Sequence, residues 1–152
     1  MTRNAKRASS AALLAALVVA ATSVDSSSTD VIKDRQQAMK DVGGAMQNLG
    51  SIAKKETPFE AAVVRENAAV VAEALKRAAD LFPEGSDRGA AETWAKPEIW
   101  SRRADFGKKL ETAQGAAVAM QSVAAESAFS PALAKLGDAC KACHQAYRRP
   151  KE

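Results

Sequence analysis

The sequence predicts an all-α protein, an antiparallel four-helix bundle, on the strength of three observations. Hydrophobic residues make up 47% of the 152 residues but aromatic residues only 5%, so the apolar content is mostly helix-favouring alanine, valine and leucine. Apolar positions recur at alternating steps of three and four, the period of amphipathic helices, without strand-like alternation. Pro58, Pro83, Pro97 and Pro131 cut this pattern into four segments, too regularly for one long coiled coil. Four helices with mostly short connections pack as a bundle.

The first helix is predicted from Asp30 to about Lys55. The second follows a capping signal, with Thr57 as N-cap, Pro58 at the first helical position and Glu60 as capping-box partner. The inward stripe of the first helix is Val31, Arg35, Ala38, Val42, Ala45, Leu49 and Ile52.

The second half of the chain predicts one long loop and two further helices. Pro83 ends the second helix, and residues 83–96 form the loop. Pro97 opens the third helix, and Ser130–Pro131 opens the fourth, which closes at Pro150. The inward stripe of the fourth helix is Leu133, Leu136, Cys140, Cys143, His144 and Tyr147.

The N-terminus has the order of a secretory signal peptide. Arg3, Lys6 and Arg7 precede an apolar run of 11 residues, and small residues follow. The run is shorter than the ~20 apolar residues of a membrane span. We therefore predict a removed signal peptide over residues 1–23, a mature domain over residues 24–152, periplasmic localisation and no membrane anchor after cleavage. Loss of the three basic residues lowers the net charge from +4 to +1, and no basic patch argues for nucleic acid.

The only two cysteines and the only histidine of the chain lie within five residues, in the motif C-x-x-C-H. Helical spacing places Cys140, Cys143, His144 and Tyr147 on one inward face and turns Arg148 away. A zinc site would need further ligands, and no inward carboxylate offers them. A redox dithiol normally lies at the start of a helix that follows a strand, so it is the weaker alternative. A disulfide between positions i and i+3 would constrain almost nothing.

The same motif is the attachment site of c-type haem. Two thiols one helical turn apart can each add to a vinyl group along one porphyrin edge, and the adjacent histidine can reach the iron from the same side. Haem would also fill an alanine-rich bundle whose side chains bury little surface. The sequence therefore predicts a four-helix bundle enclosing one covalently bound haem c.

Segments throughout the mature chain resemble the class II c-type cytochromes, which comprise the cytochromes c′ and their low-spin relatives. The segments are "RQQAMK" in the first helix, "KKETPFEAA" at the first turn, "KPEIW" at the start of the third helix, and "CKACHQAYR". The resemblance implies a periplasmic, often dimeric bundle with haem between its helices. A homodimer is compatible with the alanine-rich outer faces of the first two helices.

Residue by residue, the resemblance implies a set of haem contacts. Cys140 and Cys143 would hold the haem, and His144 would be the proximal ligand of the iron. Arg35 matches an arginine near a haem propionate, and Arg148 matches a basic residue close to the proximal histidine. Met39 falls at the first-helix position that faces the distal side of the iron.

The sixth coordination position stays open at this stage. His144 is the only histidine, so two histidine ligands are excluded, and methionine, lysine, water or a vacant site remain. Met39 is the favoured ligand, with Met46 and Met120 as the other mature methionines. Gly43 and the glycine after it cost helix stability, and room for the macrocycle would explain the cost.

Two functions follow from these alternatives. A thioether opposite histidine suits an electron carrier that cycles between Fe(II) and Fe(III) and serves redox partner proteins in the periplasm. A vacant site suits a five-coordinate cytochrome c′ that binds NO or CO. A haem-free dithiol protein and an inert helical module are the further alternatives. The inward stripes carry no catalytic constellation, so no enzyme is predicted.

Overall fold

The computed structural model describes residues 26–89 and 91–150, and over these ranges the chain is helical without any strand. The signal peptide predicted over residues 1–23 lies outside the described residues. The helices are α1 (Ser26–Ala53), α2 (Ala61–Ala79), α3 (Glu98–Ser101), α4 (Arg103–Met120) and α5 (Glu126–Tyr147).

The four long helices form a bundle in which consecutive helices are neighbours. Helix α1 packs on α2, α2 on α4, and α4 on α5, whereas α1 and α5 touch only sparsely. The predicted four-helix bundle is confirmed. Within the described ranges, every helix is too short or too polar to cross a membrane.

Helix α1 buries its predicted stripe almost completely, and its C-terminus is closed by the backbone of the turn that follows. The Lys55 amide donates to the Ile52 carbonyl and the Glu56 amide to the Ser51 carbonyl, the paired bonds of a Schellman motif. Lys55 occupies the left-handed position of this motif with φ 63°, where glycine is usual.

The predicted capping box of the second helix is wrong. Helix α2 starts at Ala61, and its N-cap Glu60 has extended backbone without a capping hydrogen bond from a side chain. The Thr57 amide instead donates to the Ser51 carbonyl and so completes the end of α1. Phe59 packs edge to face on Phe129, with ring centroids 5.7 Å apart. The segment after Lys55 therefore closes α1 and inserts an aromatic ring before the second helix begins.

The third and fourth predicted helices also differ at their ends. The third is broken at Arg102, whose φ of −122° and ψ of 43° separate α3 from α4. The fourth starts at Glu126, so Pro131 lies inside it. The earlier start carries Phe129 into the core, where it is 2% exposed. Burial of this ring offsets the one helical hydrogen bond that Pro131 cannot donate.

Alanine lets the packed helices approach closely. Ala68, Ala74, Ala78 and Ala117 are fully buried at the α2 and α4 contacts. An aromatic cluster lies at one end of the core, in which Phe82 contacts Trp100 and Phe106, and Phe106 contacts Tyr147, each pair edge to face. The sparse contact between α1 and α5 leaves a gap on this side of the bundle, and the candidate site lies there.

Candidate haem-binding site

A cavity of about 750 Å³ separates α1 from α5. Its volume lies within the roughly 300–1,000 Å³ of pockets that take small molecules and cofactors. Helix α1 lines it with Arg35, Gln36, Met39, Lys40, Val42, Gly43 and Met46, and the end of α5 with Cys140, Cys143, His144, Tyr147 and Arg148. The structure thus brings all six sequence-predicted site residues to one cavity.

Cys140 and Cys143 lie one helical turn apart on α5, half-buried and free of a disulfide. Burial raises the pKa of both thiols, and for Cys143 the neighbouring Cys140 raises the pKa further. A redox dithiol needs the opposite, a thiol with a lowered pKa. The two thiols therefore suit covalent attachment of a group in the cavity better than disulfide exchange.

His144 follows directly and lines the same cavity, to which its side chain is exposed. Burial lowers the pKa of the imidazole, and the positive charge of Arg148 lowers it further. Both causes favour the neutral imidazole, which is the form that coordinates a metal ion.

The structure separates the three candidate methionines of the mature chain. Met39 and Met46 are half-buried and line the cavity from α1. Met120 is fully buried in the core, away from the cavity lining. Met120 is therefore excluded as an iron ligand, and the two α1 thioethers remain.

Gly43 lies between these two methionines on the cavity wall, whereas Gly44 does not line the cavity. A Cβ atom built on either glycine would meet no protein atom within 4 Å. Protein packing within the described residues therefore does not explain why glycine stands at either position.

Arg35 is 4% exposed and reaches the cavity from α1. Its guanidinium carbon lies 5.0 Å from the ring centroid of Phe82 and 5.7 Å from that of Trp100. Burial lowers the pKa of Arg35, and the carboxylate of Asp87 partly offsets this effect. The guanidinium also makes hydrogen bonds to the loop after α2, which the sequence does not predict.

Arg148 does not turn away from the site as helical spacing predicts. It follows the last residue of α5, and its extended backbone (φ −115°, ψ 132°) breaks the helical period. Its guanidinium carbon lies 5.0 Å from the ring centroid of Trp94 at the edge of the cavity. The neighbourhood of Arg148 and His144 agrees with the placement that the resemblance implies.

The sequence does not predict that the loop after α2 lines the cavity, nor that Tyr147 of α5 makes a hydrogen bond to α4. Thr93, Trp94 and Ala95 form part of the cavity wall, although the loop sequence showed no period that would place them there. The hydroxyl of Tyr147 donates a hydrogen bond to Asp105 at 2.5 Å. This hydrogen bond is the largest cause of a lowered pKa for the Asp105 carboxyl.

The donor set and the cavity fit a covalently held haem. Two thiols and an imidazole stand on one wall, and the remaining lining is mostly apolar. The C-x-x-C-H motif on the wall of a cavity of this size places the protein in the class of c-type haem proteins, here built on a helical bundle.

Comparisons with known proteins narrow the class. The family Cytochrome C' matches residues 30–148. Cytochrome c-556 of Agrobacterium fabrum is 34% identical over 122 residues, which cover 79% of this chain and 82% of that protein. Cytochrome c' of Rhodopseudomonas palustris is 32% identical over 141 residues, covering 92% of this chain and 96% of that one. The chain therefore belongs to the cytochrome c′ family, the class II c-type cytochromes, and is a haem c protein.

Solved structures agree with this assignment. A structure of Rhodopseudomonas palustris cytochrome c' superposes with a TM-score of 0.76 at 31% identity, covering 81% of this chain and 98% of that chain. The nitric oxide complex of a mutant cytochrome c prime from Alcaligenes xylosoxidans gives a TM-score of 0.73 at 29% identity, covering 82% and 97%.

Proposed function

We propose that this chain is an exported electron carrier of the periplasm, with Cys140 and Cys143 holding one haem c and with His144 and Met39 as axial ligands. When bound, the haem supplies an iron that cycles between Fe(II) and Fe(III). In this role the protein would transfer single electrons without catalysing a reaction of its own.

The observation that carries this proposal is the placement of Met39 and His144 on two different walls of one cavity. Met39 lines it from α1 and His144 from α5, the two helices that touch only sparsely. A thioether and an imidazole on separate helices can approach an iron from two sides. Methionine opposite histidine raises the reduction potential, as an electron carrier requires.

The edge of the cavity offers a contact surface for a redox partner. Trp94 is 37% exposed and lies under the guanidinium of Arg148, and both residues line the cavity. Tryptophan and arginine are enriched among the residues that dominate protein interfaces. A partner protein docked here would approach the cavity directly.

A second candidate is a five-coordinate cytochrome c′ that binds NO or CO at an open distal site. The nitric oxide complex of the Alcaligenes relative favours it. Met39 and Met46 are also only partly buried where they pack against the core, so each keeps an exposed part that borders the cavity. In this case the methionines would only line the gas site.

The absorption spectrum of the ferric protein separates the two candidates. We expect a sulfur–iron charge-transfer band near the red end of the spectrum in the wild type and in Met46→Ala, and its loss in Met39→Ala. Reduced Met39→Ala should bind CO faster than the wild type, because the thioether no longer competes.

Two results would contradict the electron carrier, and a third would change only its methionine ligand. If the wild type lacks the band and its reduced form binds CO as fast as Met39→Ala, the five-coordinate candidate replaces it. If only Met46→Ala loses the band, Met46 is the ligand. If haem does not stay with the polypeptide on a denaturing gel, both candidates fail.

A further inference from the structure

The walls that carry the proposed axial ligands are joined by a segment of the loop after α2. We call the described parts of this loop, residues 81–89 and 91–96, the strap. Because α1 and α5 touch only sparsely, direct packing does little to fix the separation of these two walls. The strap makes hydrogen bonds to both of them.

Arg35 ties the strap to α1. Its Nη1 donates to the Leu81 carbonyl at 3.4 Å and to Ser86 Oγ at 3.1 Å, and its Nη2 donates to the Ser86 carbonyl at 2.7 Å and to Thr93 Oγ1 at 2.9 Å. Ser86 and Thr93 are buried with it. One planar guanidinium therefore joins three points of the strap that are up to 12 positions apart in sequence.

The other end of the strap is tied to the end of α5. The Lys96 amide donates to the Tyr147 carbonyl at 3.0 Å, and the Arg149 amide donates to the Trp94 carbonyl at 2.8 Å. The Arg149 guanidinium donates to the Thr93 carbonyl. The strap thus meets α5 within one turn of His144.

Thr93 is the residue at which the contacts of the strap with α1 and its contacts with the end of α5 meet. Its hydroxyl oxygen accepts the hydrogen bond from Arg35 and another, at 3.2 Å, from the Ala95 amide. Ala95 pairs with Arg148 in an antiparallel bridge. Hydrogen bonds therefore connect Arg35, which lies one turn before Met39 on α1, through Thr93 to the residues that follow His144 at the end of α5.

We propose that Arg35 is a positioning residue that sets the separation of the α1 and α5 walls through the strap. By this route it governs how well the Met39 thioether reaches the iron. The inference rests on the proposed His/Met ligation, and it gives Arg35 a role that differs from contact with a propionate. Within the described residues the structure gives Arg35 no ion pair within 4 Å, and the hydrogen bonds of its side chain go to the strap.

Two variants separate this role from an effect of the positive charge. Arg35→Lys keeps the charge, but a single ammonium cannot replace the planar guanidinium across Ser86 and Thr93. Thr93→Val keeps Arg35 and its charge and removes the hydroxyl that joins the two ends. Arg77→Lys is the matched control, because Arg77 is exposed on α2 and pairs with Asp41 on α1.

The holoprotein variants are compared by the sulfur–iron band, by the CO affinity of the reduced form and by amide hydrogen exchange. We expect Arg35→Lys and Thr93→Val each to weaken the band and to raise CO affinity about 2- to 30-fold, the usual range for coupling through packed networks. The amides of Lys96 and Arg149 should exchange faster in both variants, although these residues are distant from Arg35 in sequence. Arg77→Lys should match the wild type in all three measurements.

The proposal is overturned if Arg35→Lys behaves as the wild type, since the positive charge alone would then explain Arg35. It is overturned as well if Thr93→Val behaves as the wild type, since the effect of Arg35 would then not pass through the strap. It is also overturned if the Lys96 and Arg149 amides keep their protection in both variants. A wild type without a sulfur–iron band would refute Met39 ligation instead. The hydrogen exchange of the Lys96 and Arg149 amides would still decide whether Arg35 stabilises the contact between the strap and α5.

Discussion

The two glycines in the middle of α1 offer a test of what fills the cavity. Alanine in place of glycine inside a helix stabilises it by about 1 kcal/mol. Neither new Cβ atom would meet a protein atom within 4 Å, so the polypeptide contacts predict the same gain for Gly43→Ala and Gly44→Ala. Only Gly43 lines the cavity. If haem packs against α1 there, the extra methyl group adds an overpacking cost of about 1–3 kcal/mol.

In the haem-loaded protein, the two substitutions should therefore change the free energy of unfolding differently: one should raise it, and the other should lower it or leave it unchanged. We expect Gly44→Ala to raise the free energy of unfolding by about 1 kcal/mol. Gly43→Ala should lie between no change and a loss of about 2 kcal/mol. Urea unfolding followed by far-ultraviolet circular dichroism resolves a difference of this size. Equal stabilisation by both substitutions, with an unchanged haem spectrum, would refute the idea that Gly43 makes room for the macrocycle.

Three further predictions concern the core, the end of α1 and the proximal side. Leu49→Ala, at a fully buried core position, should cost about 2–5 kcal/mol in urea unfolding; a cost no larger than that of Val118→Ala, at a residue 51% exposed, would contradict the packing. Lys55→Gly relieves the left-handed backbone and should stabilise the protein by up to about 1 kcal/mol, whereas Lys54→Gly should not. Tyr147→Phe removes the main cause of the lowered Asp105 pKa. The variant should therefore be less stable than the wild type at every pH above the pKa of Asp105 in the unfolded chain, about 3.9. The difference in the free energy of unfolding should shrink as pH falls below this value toward the lower pKa of the folded state. A deficit that stays constant across acid unfolding curves would show that the hydrogen bond does not hold Asp105 ionised.

The sequence predicted the helices well because their periodicity depends on burial alone. Arg35, Val42 and Leu49 recur at seven-residue steps and are all buried. Helix ends were predicted less well because tertiary contacts compete with local capping signals. Thr57 carries a strong capping signal, but its amide is used to finish α1. Ser130–Pro131 carries another, and the burial of Phe129 overrides it.

The candidate site likewise has one part that the sequence predicts and another part that it does not. Cys140 and His144 could be placed because a short motif on one helix fixes their relative positions. The cavity wall made by Thr93 and Trp94 could not, because a loop has no period and its position depends on hydrogen bonds to distant helices. The predicted orientation of Arg148 is wrong for a related reason, because Arg148 lies one residue past the end of α5, where helical spacing no longer holds.

The distribution of contacts explains how one fold can serve either an electron carrier or a gas binder. The residues proposed to hold the haem lie within five positions of one another on α5, which is firmly packed on α4. If these residues hold the haem as proposed, its retention would not depend on α1. Helix α1 faces the cavity across a gap with little direct packing on α5, so small shifts of the strap would change its distance from a bound iron at low cost. Under the proposed ligation, the choice between a closed and an open sixth position would depend on Met39 and on what holds α1 in place, which makes Arg35 as informative a position to vary as the methionine itself.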